Sequence, residues 1–154
     1  MLYSLLKTVH LVSLIVWVGG MVFAHFFLRP SLGGLEPALR LTLMHEILGR
    51  FFKAVLICAI LAFLTGMGMM GYVGQAAASG GMHSMPVTWL VMAVLGVLMV
   101  GIFGHIRFAL YERLSAAVAS QSWQTGGEAL AAIRRWVVIN LTIGFAIVLV
   151  VRLG

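Results

Sequence analysis

Charge is what this sequence has least of. Of 154 residues, 9% are charged, and the acidic side chains number four, all of them glutamate. From Ala54 to Ile106 there is no Asp, Glu, Lys or Arg at all. A soluble domain needs a charged surface, so this scarcity excludes that class and points to a membrane protein. Cysteine is almost as scarce. The one residue, Cys58, lies in an apolar run, which excludes a disulfide framework and a cysteine metal cluster and leaves a small buried hydrophobe. Also missing are a nucleophile with its base, paired carboxylates within an apolar segment, and a phosphate-binding loop, which together exclude hydrolytic chemistry.

What fills the chain is hydrophobic: 62% of residues, with a mean hydropathy of +1.11. About 20 apolar residues cross the hydrocarbon core as a helix. Four segments qualify, roughly 4–28, 52–74, 87–110 and 134–152. The expectation is an all-α fold, a four-helix transmembrane bundle forming one domain over residues 1–154. The first apolar run is too long for a signal peptide and lacks a small-residue cleavage site, so it reads as a retained span.

Three connections join the spans. RPSLGGLEP ends the first helix by Pro and Gly punctuation. The next segment, ALRLTLMHEILGRFFK, is amphipathic, so the second helix starts inside that connection and runs on into the membrane. GQAAASGGMHSMP is an uncharged, Gly-rich crossing. The longest polar stretch, SAAVASQSWQTGGEALAAIRR, forms the third connection.

The net charge of +6 reflects topology, and no nucleic-acid partner is expected. Connections one and three hold Arg29, Arg40, Arg50, Lys53, Arg107, Arg113, Arg134 and Arg135, whereas the other side has only Lys7 and Arg152. Under the positive-inside rule, eight against two places those connections in the cytoplasm. The expected location is a bacterial-type inner membrane, with both termini on the outer, periplasmic side.

Histidines within such spans call for a reason, since polar groups there face a protein interior, a cavity or a cofactor. At 100° per residue, Lys7, Ser13, Leu14, Trp17, Met21, Ala24 and His25 lie within about 60° of His10. That stripe is expected to look into the bundle, with Gly19 and Gly20 at its edge allowing close approach. On the third helix His105 shares a face with Leu98, Gly101, Ala109 and Glu112. The fourth helix offers Asn140 and Thr142. Facing histidines in a four-helix bundle are a usual means of holding haem. A histidine bonded to a backbone carbonyl or to a serine of the next helix is the structural alternative. By depth, His25 and His105 match near the cytoplasmic face, roughly 27–33 Å down, while His10 lies roughly 10 Å below the outer end. The pair His25 and His105 is therefore the expected inner haem site, and His10 needs an outer partner. His45 is a spare inner candidate or an interfacial residue.

A second cluster is soft. Met67, Met69 and Met70 close the second span, and Met82, His83 and Met85 sit in the connection beyond it. Thioether and imidazole ligands suit Cu(I), so Met82, His83 and Met85 are candidate copper ligands. For Met67, Met69 and Met70 ordinary packing is the alternative.

KTVHLVSLIVWVGGMVFAHFFLRP, followed by GRFFKAVLICAILAFLTG, resembles the opening helices of the copper-resistance D (CopD) domain. That domain shows a Lys-x-x-His start, a Val-Trp-x-Gly-Gly turn and an Arg-Phe-Phe entry to a span closing in Thr-Gly. The related HemJ-type protoporphyrinogen oxidases share the Lys-x-x-His start, a Trp in the same helix, a histidine late in helix three and a fourth helix like VVINLTIGFAIVLVV. The resemblance is strongest over 5–66, where VGG and LRP follow the CopD form. His10 matches the first-helix histidine of both groups, and His105 the third-helix histidine of the HemJ group.

The HemJ side of the resemblance implies haem b and porphyrinogen oxidation, hence a haem-dependent oxidoreductase or electron-transfer protein. Its partners would be a quinone, a porphyrin or another redox protein. The CopD side implies copper uptake or tolerance. Two functions of different class are thus expected: a b-type haem redox protein, or a copper transport and resistance protein using the outward Met/His cluster. Lipid bilayer is the expected environment in both, and a second copy of the chain is a candidate partner.

Overall fold

Among the described residues, four helices, each long and apolar enough to cross a membrane, make up the fold: α1 Leu2–Ser31, α2 Pro37–Ala78, α3 Val87–Ala119 and α4 Trp123–Leu153. The computed structural model describes residues 1–79 and 86–153. The fold is all-α, a four-helix transmembrane bundle, running up and down so that both termini lie at one end. The opposite end carries most of the arginines.

Every helix outruns the span read from hydropathy. At 1.5 Å per residue the 42-residue α2 is about 63 Å long, twice a hydrocarbon core of about 30 Å. As expected, α2 begins within the first connection, at Pro37, the first position of a helix, where a missing N–H costs nothing. The long third connection is not a loop. Only Ser120–Ser122 interrupt the helix, with Gln121 at φ 56°, and the polar stretch on either side continues α3 and α4. Hydropathy marks where a helix meets lipid, not where it stops. The alanines from Ala116 to Ala132 favour helix whether or not lipid surrounds them. Gly126 is tolerated there because α2 comes close: a Cβ at this position would lie 3.2 Å from Leu41 Cδ1.

The core runs the length of the bundle. Trp17 and Met21 of α1, Leu41, Leu48, Phe52 and Val55 of α2, Met99, Phe103, Ile106 and Leu114 of α3, and Ile133 of α4 are all buried. At its centre Phe103 meets Trp17 at 5.8 Å and Phe52 at 6.0 Å, both edge to face. That arrangement suits the ring quadrupoles. The helices pair unequally. α1 packs closely along α2, and α3 along α4, whereas α2 and the membrane part of α3 touch only sparingly.

Among the described residues two π-helical turns break the regular winding, Ala24–Leu28 in α1 and Ile106–Leu110 in α3. Each inserts one extra residue per turn and rotates the remainder of its helix, a feature common at functional sites. His25 lies within the first and His105 directly before the second.

Candidate functional site

The polar stripe of α1 does look inward, with Ser13, Trp17 and Met21 buried. His10, half-buried on the same stripe, reaches across to α2. Its Nδ1 lies 2.8 Å from the carbonyl oxygen of Ala62 and 3.1 Å from Thr65 Oγ1. A carbonyl can only accept, so Nδ1 carries the proton. Thr65 donates its own hydroxyl hydrogen to the Leu61 carbonyl at 2.6 Å, which leaves Oγ1 free to accept from the imidazole. This fixes the tautomer. Nε2 keeps its lone pair and has no hydrogen-bond partner among the described residues. This is the structural alternative expected for a histidine in a span, a ring bonded to a backbone carbonyl, and a metal-ligating histidine is oriented by the same kind of bond. Gly66 lies beside the ring, where a Cβ would stand 3.4 Å from His10 Cε1, in van der Waals contact.

Motifs that lie far apart in the sequence are therefore contacts in space. The His of Lys-x-x-His is held by the Thr-Gly that closes the second span. The Gly20 of Val-Trp-x-Gly-Gly lies against the Phe51 ring of Arg-Phe-Phe, with no room for a Cβ.

His10 lines a cavity of ≈ 130 Å³ along the seam between α2 and α3. Its other walls include Trp17, Gly66 and Gly96 and four methionines: Met67 and Met70 from α2, Met92 and Met99 from α3. The volume is below the ~300–1,000 Å³ of sites for organic ligands and suits an ion or a molecule of few atoms. One imidazole lone pair among thioethers is a soft donor set. Met69, by contrast, is buried in helix packing. Met82, His83 and Met85 lie outside the described residues.

A second, larger cavity of ≈ 490 Å³ lies at the arginine-rich end. His25 is on its wall with Arg29, Arg40 and Arg134, above a floor of aliphatic side chains from α2 and α4. Among the described residues no carboxylate lines it.

His105 is not brought to either cavity. Its ring is exposed on the outer side of the bundle, edge-on to Trp136 at 5.3 Å. The face it shares with Leu98, Gly101 and Glu112 is exposed as well. The opposite side of α3, with Met99, Ile102, Phe103 and Ile106, has the larger apolar groups and takes the core. The three histidines thus occupy three separate settings, and the pair expected from matched depth is divided between the interior and the periphery. His45 is structural: it bonds Ser115 Oγ at 3.2 Å and stacks on Tyr111 at 5.2 Å. Cys58 is half-buried against the core. Among the described residues no three His, Cys, Asp or Glu side chains gather as a metal site.

Sequence reasoning placed His10 and His25 on an inward face but missed Met92 and Met99, and it read Arg29, Arg40 and Arg134 only as topology signals. Spacing held a clue. Met92, Gly96 and Met99 follow the i, i+4, i+7 pattern of one helix face, and so project to one seam.

Asn140 stands apart. It is 1% exposed, in α4, and neither Oδ1 nor Nδ2 has a partner among the described residues. It lies one turn below Gly144, whose position faces Met99 and Val18, and one turn above Val137 on the wall of the larger cavity. Asn140 therefore sits between the two cavities.

No curated protein and no solved structure matches the chain. A family model does, described as copper resistance protein D, over residues 45–153. The matched region starts within α2 and leaves out α1, so it does not itself carry His10, and it adds nothing on a HemJ-type relation. It spans more than two thirds of the sequence, and the chain belongs to the copper resistance protein D family.

Proposed function

We propose that this protein handles copper in the membrane, taking Cu(I) as cargo from the side on which its termini lie. The observation that carries this reading is His10. Its Nδ1–H is committed to the Ala62 carbonyl, so Nε2 is left as a bare donor in a cavity walled by Met67, Met70, Met92 and Met99. Thioethers and imidazole select Cu(I) over harder cations. The family supports the same cargo. Arg29, Arg40 and Arg134 at the far end would repel a cation leaving by that route, which favours uptake and holding over free conduction. Met82, His83 and Met85 lie in the sequence between the two helices that supply the cavity methionines and would be further acceptors of copper. The proposed location is a bacterial inner membrane with periplasmic termini, since eight of ten basic residues flank the other end.

The test is Cu(I) affinity of the full chain in mild detergent, measured by competition with a chromophoric Cu(I) chelator. One Cu(I) per chain is expected, weakened at least ~10–100-fold in His10→Ala, the range seen when a ligand's support is removed. Changing Met82, His83 and Met85 together should slow loading and leave the final affinity nearly intact. Equal affinity in wild type and His10→Ala would end this reading.

A b-type haem redox protein is the second reading. His25 on the wall of the larger cavity favours it, with three guanidinium groups able to neutralise carboxylates of a porphyrin. Its signature is red protein from haem-replete cells, with a Soret band that His25→Ala removes.

A further inference from the structure

The larger cavity combines two features rarely found together in so sparsely charged a chain. Arg29, Arg40 and Arg134 arrive from three different helices, α1, α2 and α4, and His25 joins them. The single ion pair among the described residues is Arg107–Glu112, elsewhere on α3, so none of these three guanidinium groups is engaged by a carboxylate. Beside them Leu41, Met44, Leu48, Leu130, Ile133 and Val137 form an apolar wall. Like charges gathered round one cavity repel unless an anion stands between them. Guanidinium is the side chain best matched to phosphate oxygens, which it binds in bidentate fashion.

Position adds the rest. Arg29 comes directly after the last apolar residues of the α1 span and Arg134 stands at the start of the α4 span, so the charged rim lies at headgroup level, with Val137 on its hydrocarbon side and Leu41, Leu48 and Leu130 on the side away from the span. Basic pockets between membrane helices at this depth hold phospholipid headgroups. The ≈ 490 Å³ volume accommodates a headgroup and the start of its chains.

We propose that this cavity is a binding site for one anionic phospholipid, its phosphoryl group held among Arg29, Arg40 and Arg134, its glycerol against the apolar wall and its acyl chains leaving past Val137 toward the membrane. The proposal does not need the copper site, because the two cavities share no residue; a bound phosphoryl group would only lessen the repulsion that the three arginines exert on a cation.

The test uses the full chain reconstituted in phosphatidylcholine with increasing phosphatidylglycerol, then released into detergent for native mass spectrometry. Wild type should retain one phosphatidylglycerol per chain in preference to phosphatidylcholine. Each neutralised arginine should weaken retention about fivefold, the effect of one basic residue at a charged surface. The double variant Arg40→Gln with Arg134→Gln should therefore lose it about 25-fold. Arg113→Gln with Arg135→Gln, outside the cavity, should leave it unchanged. A wild-type measurement guards against misfolded variants: the melting temperature should rise with phosphatidylglycerol and saturate, but not with phosphatidylcholine. Equal retention of both lipids, or an equal loss in the outside pair, would reduce the effect to general interfacial charge and overturn the proposal. Inorganic phosphate stabilising as well as the lipid would make this a soluble-anion site. A Soret-absorbing molecule in place of lipid would make it a porphyrin site. Either result also overturns the proposal.

Discussion

Filling the small cavity without touching His10 separates binding from folding, and Gly66 is the place to do it. Gly66 is helical and lines the cavity beside the imidazole. A Cβ there meets His10 Cε1 at 3.4 Å, ordinary van der Waals contact, so Gly66→Ala fits without moving the ring. It should stabilise α2 by up to about 1 kcal/mol, the usual difference between Gly and Ala in a helix, and leave Cu(I) affinity within about threefold. Gly66→Leu gains a similar helix term, but its three further carbons must enter a space of only ≈ 130 Å³. Those atoms would occupy the space that His10 and the methionines line together. Cu(I) affinity should fall at least ~100-fold, equivalent to about 2.7 kcal/mol. The assays are chelator competition for affinity and thermal unfolding followed by circular dichroism for stability. Gly66→Leu that melts like wild type and still binds Cu(I) like wild type would refute the cavity as the copper site, whatever the fate of His10→Ala.

Three other outcomes are expected. Gly20→Val should destabilise the bundle by about 1–3 kcal/mol through overpacking against the Phe51 ring, and Phe51→Leu should recover part of that in a double-mutant cycle. Asn140→Leu should raise thermal stability by about 1–3 kcal/mol, because it removes two buried polar atoms that have no partner among the described residues; a loss of stability would mean that a bound molecule holds the amide. Reporter fusions should place the C-terminus outside and the Ser120–Ser122 turn in the cytoplasm, and the reverse result would invert the proposed direction of copper entry.

Hydropathy sufficed for the four-helix bundle and for the early start of α2, since both depend on local composition. Helix ends were harder to read. The stretch from Ser115 to Arg135 reads as a loop by polarity, yet its alanine content and the packing of Gly126 under Leu41 keep it helical. The His10 stripe was legible because α1 winds regularly as far as Phe23. On α3 the same periodicity groups His105 with Leu98, Gly101 and Glu112, and the structure leaves those residues exposed. Periodicity shows which residues share a face but not which way the face points. Bulk decides that, and Phe103 and Ile106 outweigh glycine and histidine. The extra residue in each π turn further shifts the phase beyond His25 and His105, and no residue-type pattern announces it. Cavities are the least legible of all, being made by helices that fail to meet.

The unequal pairing of the helices explains why the small cavity lies where it does. Close packing of α1 on α2 is secured by Gly20 under Phe51 and by His10 bonded to Ala62 and Thr65. On the facing pair, Gly144 of α4 receives Met99 and Val18 at 3.4 Å. Between these two tight pairs, α2 and α3 present Gly66 and Gly96 to each other, which leaves a gap that only long, flexible side chains fill. Methionine is the residue suited to that task, being unbranched and adaptable, and it brings sulfur with it. The same small residues that open the seam thus require the side chains that make it soft. Packing alone accounts for methionines there. It does not account for a histidine whose one proton is already spent on a backbone carbonyl and whose remaining nitrogen, an acceptor only, has no donor to meet among the described residues. A leucine at position 10 would pack as well and leave nothing unpaired. The imidazole is therefore the residue on which the proposed copper site turns.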